Sequence, residues 1–386
     1  MIERELEREL KRVSGEYPVV TVIGPRQSGK TTLVRKVFSG HSYCNLESPE
    51  NRALAREDPK SLFRQFPAPV VIDEVQRVPE LLSWIQVMSD ESGKAGEYIL
   101  TGSHQLQLHA AVSQSLAGRT ALLRLLPFSI RELSPVAGRP KTKEAYMVKG
   151  FLPRIYDKGQ TPSDAYRNYF QTYVERDVRQ MVNLKNLDPF EKFIKLLAGR
   201  VGQLLNLSNL SNEVGVTSTT LKEWVSILEA SFIIHRLAPY YRNFGKRVVK
   251  TPKVYFVETG LAAWLLGIET EEQAMRDPLH GALFENLVVM DALKTRLNSG
   301  RDSSLYFWRD NKGHEVDLIL EKQRRLIPIE IKSAMTWNPE FARNIEWFQQ
   351  AVPAAEPGHI IYAGDLTPQQ EHYKVWSYAN AETVFR

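Results

Sequence analysis

The segment GPRQSGKTTL, from Gly24, puts two glycines, a lysine and a threonine at the spacing that wraps a phosphate chain. Backbone N–H groups of such a loop surround the β-phosphate, and Gly29 allows close approach. Lys30 then reaches the β- and γ-phosphates, and Thr31 holds Mg²⁺. The candidate ATP-binding residues are therefore Gly24, Pro25, Arg26, Gln27, Ser28, Gly29, Lys30, Thr31 and Thr32. Asp73 and Glu74 close the apolar run PVVID. Asp73 is suited to binding Mg²⁺ through water, and Glu74 to orienting and polarising the attacking water. Thr101 and Ser103 follow the run EYIL and are candidates to sense the γ-phosphate or that water; plain turn chemistry is the other reading of each. A second set lies in EVDLILEKQRRLIPIEIKSA, where Asp317 sits on one apolar run and Glu330 and Lys332 share a face of the next.

The elements that must position these groups are legible as apolar runs. Residues 17–23, 69–73 and 97–101 read as buried strands, and a helix is expected after the phosphate loop with its N-terminus at the phosphates. A strand inserted between the phosphate-loop strand and the Asp73–Glu74 strand describes the additional-strand class of P-loop ATPases. SPVAGRPKTKE, residues 134–144, reads as a linker. From Ser163, a helix cap, the apolar residues Tyr166, Tyr169, Phe170, Tyr173, Val174, Val178 and Met181 fall at helical intervals. Glu175, Arg176 and Asp177 on it read either as an ion network or as a solvated face.

LSNLSNEVGVTSTTLKEWVSILEAS, from Leu207, has the order of a helix-turn-helix. Ser208 caps a helix ending at Val214, Gly215 makes the turn, and Thr217 or Ser218 caps the second helix. Leu221, Trp224, Val225 and Leu228 face inward. Ser218, Thr219, Lys222 and Glu223 face outward, as on a groove-reading helix. A wing of two strands and a tight loop follows. Its stretch from Tyr240 to Lys253 holds Arg242, Lys246, Arg247, Lys250 and Lys253 with no acid, interleaved with Tyr240, Tyr241 and Phe244. That is a local DNA-binding footprint; lysines protecting a hairpin edge are the alternative.

The first part resembles the AAA+ family of ATPases, specifically the AAA_14 group that carries the domain of unknown function 4143. The likeness rests on GPRQSGKTTL, VVIDEVQRVPELL, YILTGSHQL, SLAGRTALLRLLPFS and FLPRIY, and covers nearly the whole chain. A homo-oligomeric ring, a hexamer most naturally, is expected if Arg119 acts across an interface between subunits. Arg119 stands where this resemblance implies an arginine donated to a neighbour's γ-phosphate. A charge stabilising a helix C-terminus is the plainer reading.

The last third, with GALFENLVVMDALKTR before the strands, resembles the PD-(D/E)xK nuclease fold, including its Holliday-junction resolvase branch. The resemblance implies a Mg²⁺ site of Glu285, Asp317 and Glu330, with Lys332 acting on the nucleophile or the developing phosphate charge. A degenerate fold, with Glu330 and Lys332 as a structural ion pair, is the alternative.

The chain has 386 residues, 43% of them apolar and 25% charged, with 50 basic against 45 acidic side chains, a net +5. Several globular domains are implied, with a slight tilt toward an anionic partner. The only cysteine, Cys44, excludes an internal disulfide and a cysteine zinc site. MIERELEREL lacks an apolar signal region, and no apolar run spans a bilayer, so a soluble cytoplasmic protein with no membrane partner is expected. The expected fold is α/β: an AAA+ P-loop core with the additional strand (1–135), a helical lid (136–200), a winged helix (201–265) and a restriction-endonuclease-like α/β domain (266–386). The expected function is ATP- and Mg²⁺-dependent remodelling of, or translocation on, DNA, with branched DNA suggested by analogy with the resolvase-like fold. The rivals are a nucleotide-switched scaffold recruiting a protein, and an ATP-gated Mg²⁺-dependent nuclease.

Overall fold

The computed structural model describes residues 2–103, 115–173, 187–240, 250–310, 312–368 and 370–386. The chain forms two compact units. One comprises Met1–Phe128 with Ala230–Phe232 and Leu297–Arg301; the other comprises Ser129–Glu229, Ile233–Arg296 and Asp302–Arg386.

The first unit is built on β1 (Val19–Ile23), β2 (Ser42–Asn45), β3 (Val70–Asp73), β4 (Tyr98–Gly102) and β5 (Thr120–Arg124). All five are parallel, in the order β2-β3-β4-β1-β5. Every residue of β1, β3 and β4 is buried, which explains why these strands read as continuous apolar runs rather than alternating ones. The inserted strand is β4, between β1 and β3, as expected. The Leu6–Ser14 helix buries Leu6, Leu10 and Val13, one face of a helix, against a core that includes Val20, Leu33, Val71 and Leu123. Because the strands are parallel, Ile23, Asp73 and Gly102 all end at one edge of the sheet, where such folds bind ligands.

The second unit opens with short helices, Ile130–Leu133, Lys143–Lys149, Pro153–Asp157 and Pro162–Tyr169, followed by Asp188–Ala198. Segment 134–144 is not a free linker: Lys143 and Glu144 are buried and form an ion pair at 2.9 Å. Thr161, not Ser163, caps the Pro162 helix; Ser163 instead donates to Glu269. Val174, Glu175, Arg176, Asp177, Val178 and Met181 lie outside the described residues.

The helix-turn-helix is present as Leu207–Val214 and Ser218–Ala230, with Gly215 left-handed at φ 83° between them. Asn206 rather than Ser208 caps the first helix, and Thr217 caps the second. A two-stranded hairpin follows, β6 (Ile234–Leu237) and β7 (Lys253–Phe256), antiparallel. Residues 241–249, between these strands, lie outside the described residues, and with them the expected tight loop of the wing.

The helix His280–Asn298 is buried from Asn286 to Asn298 on every side. Then come β8 (Leu305–Arg309), β9 (Glu315–Lys322), β10 (Arg325–Lys332), β11 (Gly358–Tyr362) and β12 (Tyr373–Ser377). They form a mixed sheet in the order β12-β11-β10-β9-β8. β8, β9 and β10 are antiparallel neighbours; β11 and β12 continue in parallel. The basic turn between β9 and β10 holds Gln323 and Arg324 both at positive φ, the tight-hairpin geometry, without a glycine.

Candidate nucleotide site and a second carboxylate cluster

The phosphate loop runs from the end of β1 into the Lys30–Val37 helix. A side chain at Gly24 would place its Cβ 2.0 Å from the Leu125 carbonyl oxygen, so only glycine lets the loop leave the sheet there. Gly29 sits at φ 91° immediately before the helix. Lys30 is buried, and its ammonium donates to the carbonyl oxygens of Gly24 and Pro25, both at 2.9 Å. Burial pushes it down, to about 8, against the pull of Glu74 and Asp73. Among the described residues, the buried Ser28 hydroxyl has no hydrogen-bond partner. A cradle with a lysine closed on its own carbonyls and a spare hydroxyl suits a phosphate chain.

Two residues that sequence reasoning missed hold this loop and its partner strand. Arg4 is buried; its guanidinium donates to the carbonyls of Ser28 and Leu126, both at 2.6 Å, and lies over the Phe128 ring. Tyr43 on β2 donates its hydroxyl to Asp73 at 2.7 Å. No spacing signal connects Arg4 to Ser28. The strand HSYCN is too short to announce which face Tyr43 occupies.

Asp73 gathers the site. Its Oδ2 accepts from Thr31 Oγ1 at 2.8 Å and from Tyr43, and its Oδ1 accepts from Thr101 Oγ1. Thr31 and Asp73 present hard oxygen donors side by side, a set that fits Mg²⁺. Glu74 leaves the strand in the left-handed region at φ 58°, a conformation costing a non-glycine residue on the order of 1 kcal/mol. Its N–H donates to Thr101 Oγ1 at 3.2 Å. Its carboxylate accepts from Ser103 Oγ at 3.1 Å and from Gln76 Nε2. Thr101 is thus wholly buried and committed to Asp73, whereas Ser103 lies at the Glu74 carboxylate. Gln76, from the short turn after Glu74, is a third residue the sequence did not single out.

Arg119 precedes β5, whose first residue pairs with Val19 while its last, Arg124, pairs with Ile23. It therefore lies at the sheet edge opposite this chain's own phosphate loop. It donates to both oxygens of Asp90 at 2.5 and 2.8 Å.

Among the DNA candidates, Ser218, Thr219 and Lys222 are exposed on the second helix of the helix-turn-helix, and Lys250 is exposed as well. Arg242, Lys246 and Arg247 lie outside the described residues. Lys253 requires correction. It is 3% exposed, and its ammonium is bonded to Glu285 at 3.0 Å and Glu315 at 2.6 Å, so it is no surface contact.

The C-terminal acids and Lys332 do share one region. Lys332 pairs with Glu330 at 2.5 Å and with Asp317 at 3.5 Å. Asp317 Oδ2 also accepts from the Ile331 N–H at 2.9 Å. Tyr255 donates to Glu285 at 2.6 Å. Burial and Asp317 push the Glu330 carboxyl up, to about 8, with the bonds from Lys332 and Asn344 acting the other way. The expected Mg²⁺ cage of Glu285, Asp317 and Glu330 does not fit. Each carboxyl already faces a lysine of this chain. Among the described residues, no three His, Cys, Asp or Glu side chains are grouped so as to hold a metal ion. No described helix is long and apolar enough to cross a membrane.

The pattern defining an AAA domain (AAA_14) matches residues 16–134. Patterns for two domains of unknown function match residues 141–272 (DUF8612) and 280–381 (DUF4143). Uncharacterized proteins of Mycobacterium tuberculosis and Mycobacterium bovis are each 30% identical over 345 residues, 89% of this chain and 76% of theirs. Among solved structures, the Walker-type ATPase PABY2304 of Pyrococcus abyssi aligns with a TM-score of 0.46 at 16% identity, covering 69% of this chain and 96% of that one. The RuvB Holliday junction branch migration motor of Thermotoga maritima aligns at 0.32 and 18%, covering 60% and 88%.

Proposed function

We propose that this chain, which belongs to the family of P-loop ATPases pairing an AAA_14 domain with a DUF4143 domain, binds and hydrolyses ATP and couples that cycle to DNA. The observation that carries the first part is the 2.8 Å contact between Thr31 and Asp73, brought from separate elements to the edge where the phosphate loop opens. Mg²⁺ held by Thr31 and Asp73 would neutralise charge on the phosphates. Lys30 exchanges the Gly24 and Pro25 carbonyls for phosphate oxygens, and its ammonium charge is compensated there. Glu74 orients and polarises the attacking water, and Ser103 and Gln76 position its carboxylate. Turnover of ATP by the full chain, abolished in Lys30→Ala, tests this; undiminished hydrolysis in that variant refutes the assignment.

The DNA reading rests on the exposed face of Ser218, Thr219 and Lys222 and on the basic stretch containing Arg242, Lys246, Arg247 and Lys250. Remodelling or translocation follows if hydrolysis shifts these modules on the duplex, within a homo-oligomeric ring where Arg119 leaves Asp90 for a neighbour's nucleotide. ATP turnover measured with single-stranded, duplex and four-way junction DNA decides it. One unvarying rate with all three refutes coupling.

A further inference from the structure

The basic stretch before β7 has both its feet on the C-terminal sheet. At its start, the Phe307 N–H donates to the Ala238 carbonyl at 3.1 Å and the Tyr240 N–H to the Phe307 carbonyl at 2.7 Å. At its end stands Lys253, the first residue of β7. Its ammonium enters the carboxylate cluster: Glu285 of the His280–Asn298 helix at 3.0 Å, and Glu315 of β9 at 2.6 Å. The charge of Asp317 acts on it too. The Phe307 ring lies 5.6 Å from it.

We propose that Lys253 is the resident cation of this cluster, so that Glu285, Glu315 and Asp317 serve to seat the end of the basic stretch on the sheet and take no catalytic divalent ion. Burying an ammonium costs several kcal/mol unless carboxylates and hydrogen bonds compensate it, and here they surround it. Glu315 is shared with Arg309 at 3.2 Å, Glu285 with the Tyr255 hydroxyl, and Asp317 with Lys332 and a backbone N–H. Lys253 thereby supplies the positive charge that Glu285 and Glu315 would otherwise share with a divalent ion. Lys253 is also held rigidly, because its own backbone is fixed by the β6 ladder and by a bridge to Leu204. Neither ATP hydrolysis nor DNA binding is required for this role.

The test is Mn²⁺ titration of the full chain without nucleotide, followed by electron paramagnetic resonance and by thermal unfolding. Wild type is expected to bind no Mn²⁺ at the cluster and to keep its unfolding temperature. Lys253→Met, close in shape but uncharged, is expected to unfold several degrees lower. Added Mn²⁺ should restore part of that loss, and Asp317→Asn in the same background should remove the restoration. Lys253→Gln is the second variant should Lys253→Met fail to fold; Lys253→Arg should behave as wild type. Mn²⁺ bound by wild type and lost in Asp317→Asn would overturn the proposal. So would Lys253→Met and Lys253→Gln variants that unfold with wild type and ignore Mn²⁺.

Discussion

The Arg4 guanidinium donates to the Ser28 carbonyl oxygen at 2.6 Å. In a planar trans peptide the carbonyl and the following N–H point in opposite directions. Anchoring the Ser28 oxygen therefore aims the Gly29 N–H away from Arg4. Replacing Arg4 by Met should release that peptide and weaken ATP binding on the order of tenfold, about 1.4 kcal/mol. Arg4→Lys should recover only part, because an ammonium cannot span both the Ser28 and Leu126 carbonyls as the guanidinium fork does. Calorimetric ATP titration, alongside circular dichroism to confirm folding, reads this. Equal affinity in all three proteins would show that Arg4 only packs.

Glu74→Gln should bind ATP about as tightly as wild type and hydrolyse it at least about 100-fold more slowly, since an amide cannot polarise water as a carboxylate does. Single-turnover hydrolysis and a nucleotide-binding assay separate the two quantities. A folded variant unable to bind ATP would contradict the role given to Glu74.

Replacing Lys246, Arg247 and Lys250 together by Ala should weaken DNA binding and flatten its dependence on salt, by about 0.9 in log–log slope for each phosphate left without its cation. Gel shifts across a salt series measure it. An unaltered slope would remove the basic stretch from the interface.

If protomers share nucleotide sites, turnover per protomer should rise with protein concentration, and Arg119→Ala should lower the maximal rate with little change in ATP affinity. In its own chain the Arg119 guanidinium pairs with Asp90 at the surface, where such pairs contribute about 0–1 kcal/mol, and donates to the Ala117 carbonyl at 3.2 Å. Its loss should therefore leave the unfolding temperature nearly unchanged. A concentration-independent rate, unaffected by the substitution, would argue for a monomeric engine.

The second unit should weaken in mild acid. His359 Nδ1 accepts a hydrogen bond from Trp376 Nε1 at 2.9 Å, which requires that nitrogen unprotonated. Burial, with Lys374 adding, depresses the imidazole to about 4. The unfolded chain then binds the proton first, so this stability is full above about pH 6.5 and is lost as pH falls toward 4. His359→Gln, which keeps an acceptor for Trp376, should flatten urea-unfolding stability between those values. An identical slope in both proteins would acquit His359.

By itself the sequence determined the local chemistry. The phosphate loop, the Asp73–Glu74 strand end, the inserted strand and the helix-turn-helix all depend on contiguous residues, and backbone geometry there follows from glycine placement and apolar runs. Tertiary structure decided which side chains meet across long separations. It sent Thr101 to Asp73 and Ser103 to Glu74, and it brought Arg4 under the phosphate loop. It also turned Lys253 inward, although its basic neighbours read as a surface. A lysine's type and spacing are the same whether water or two carboxylates bind it; only the packing of β7 against the long helix and β9 settles which.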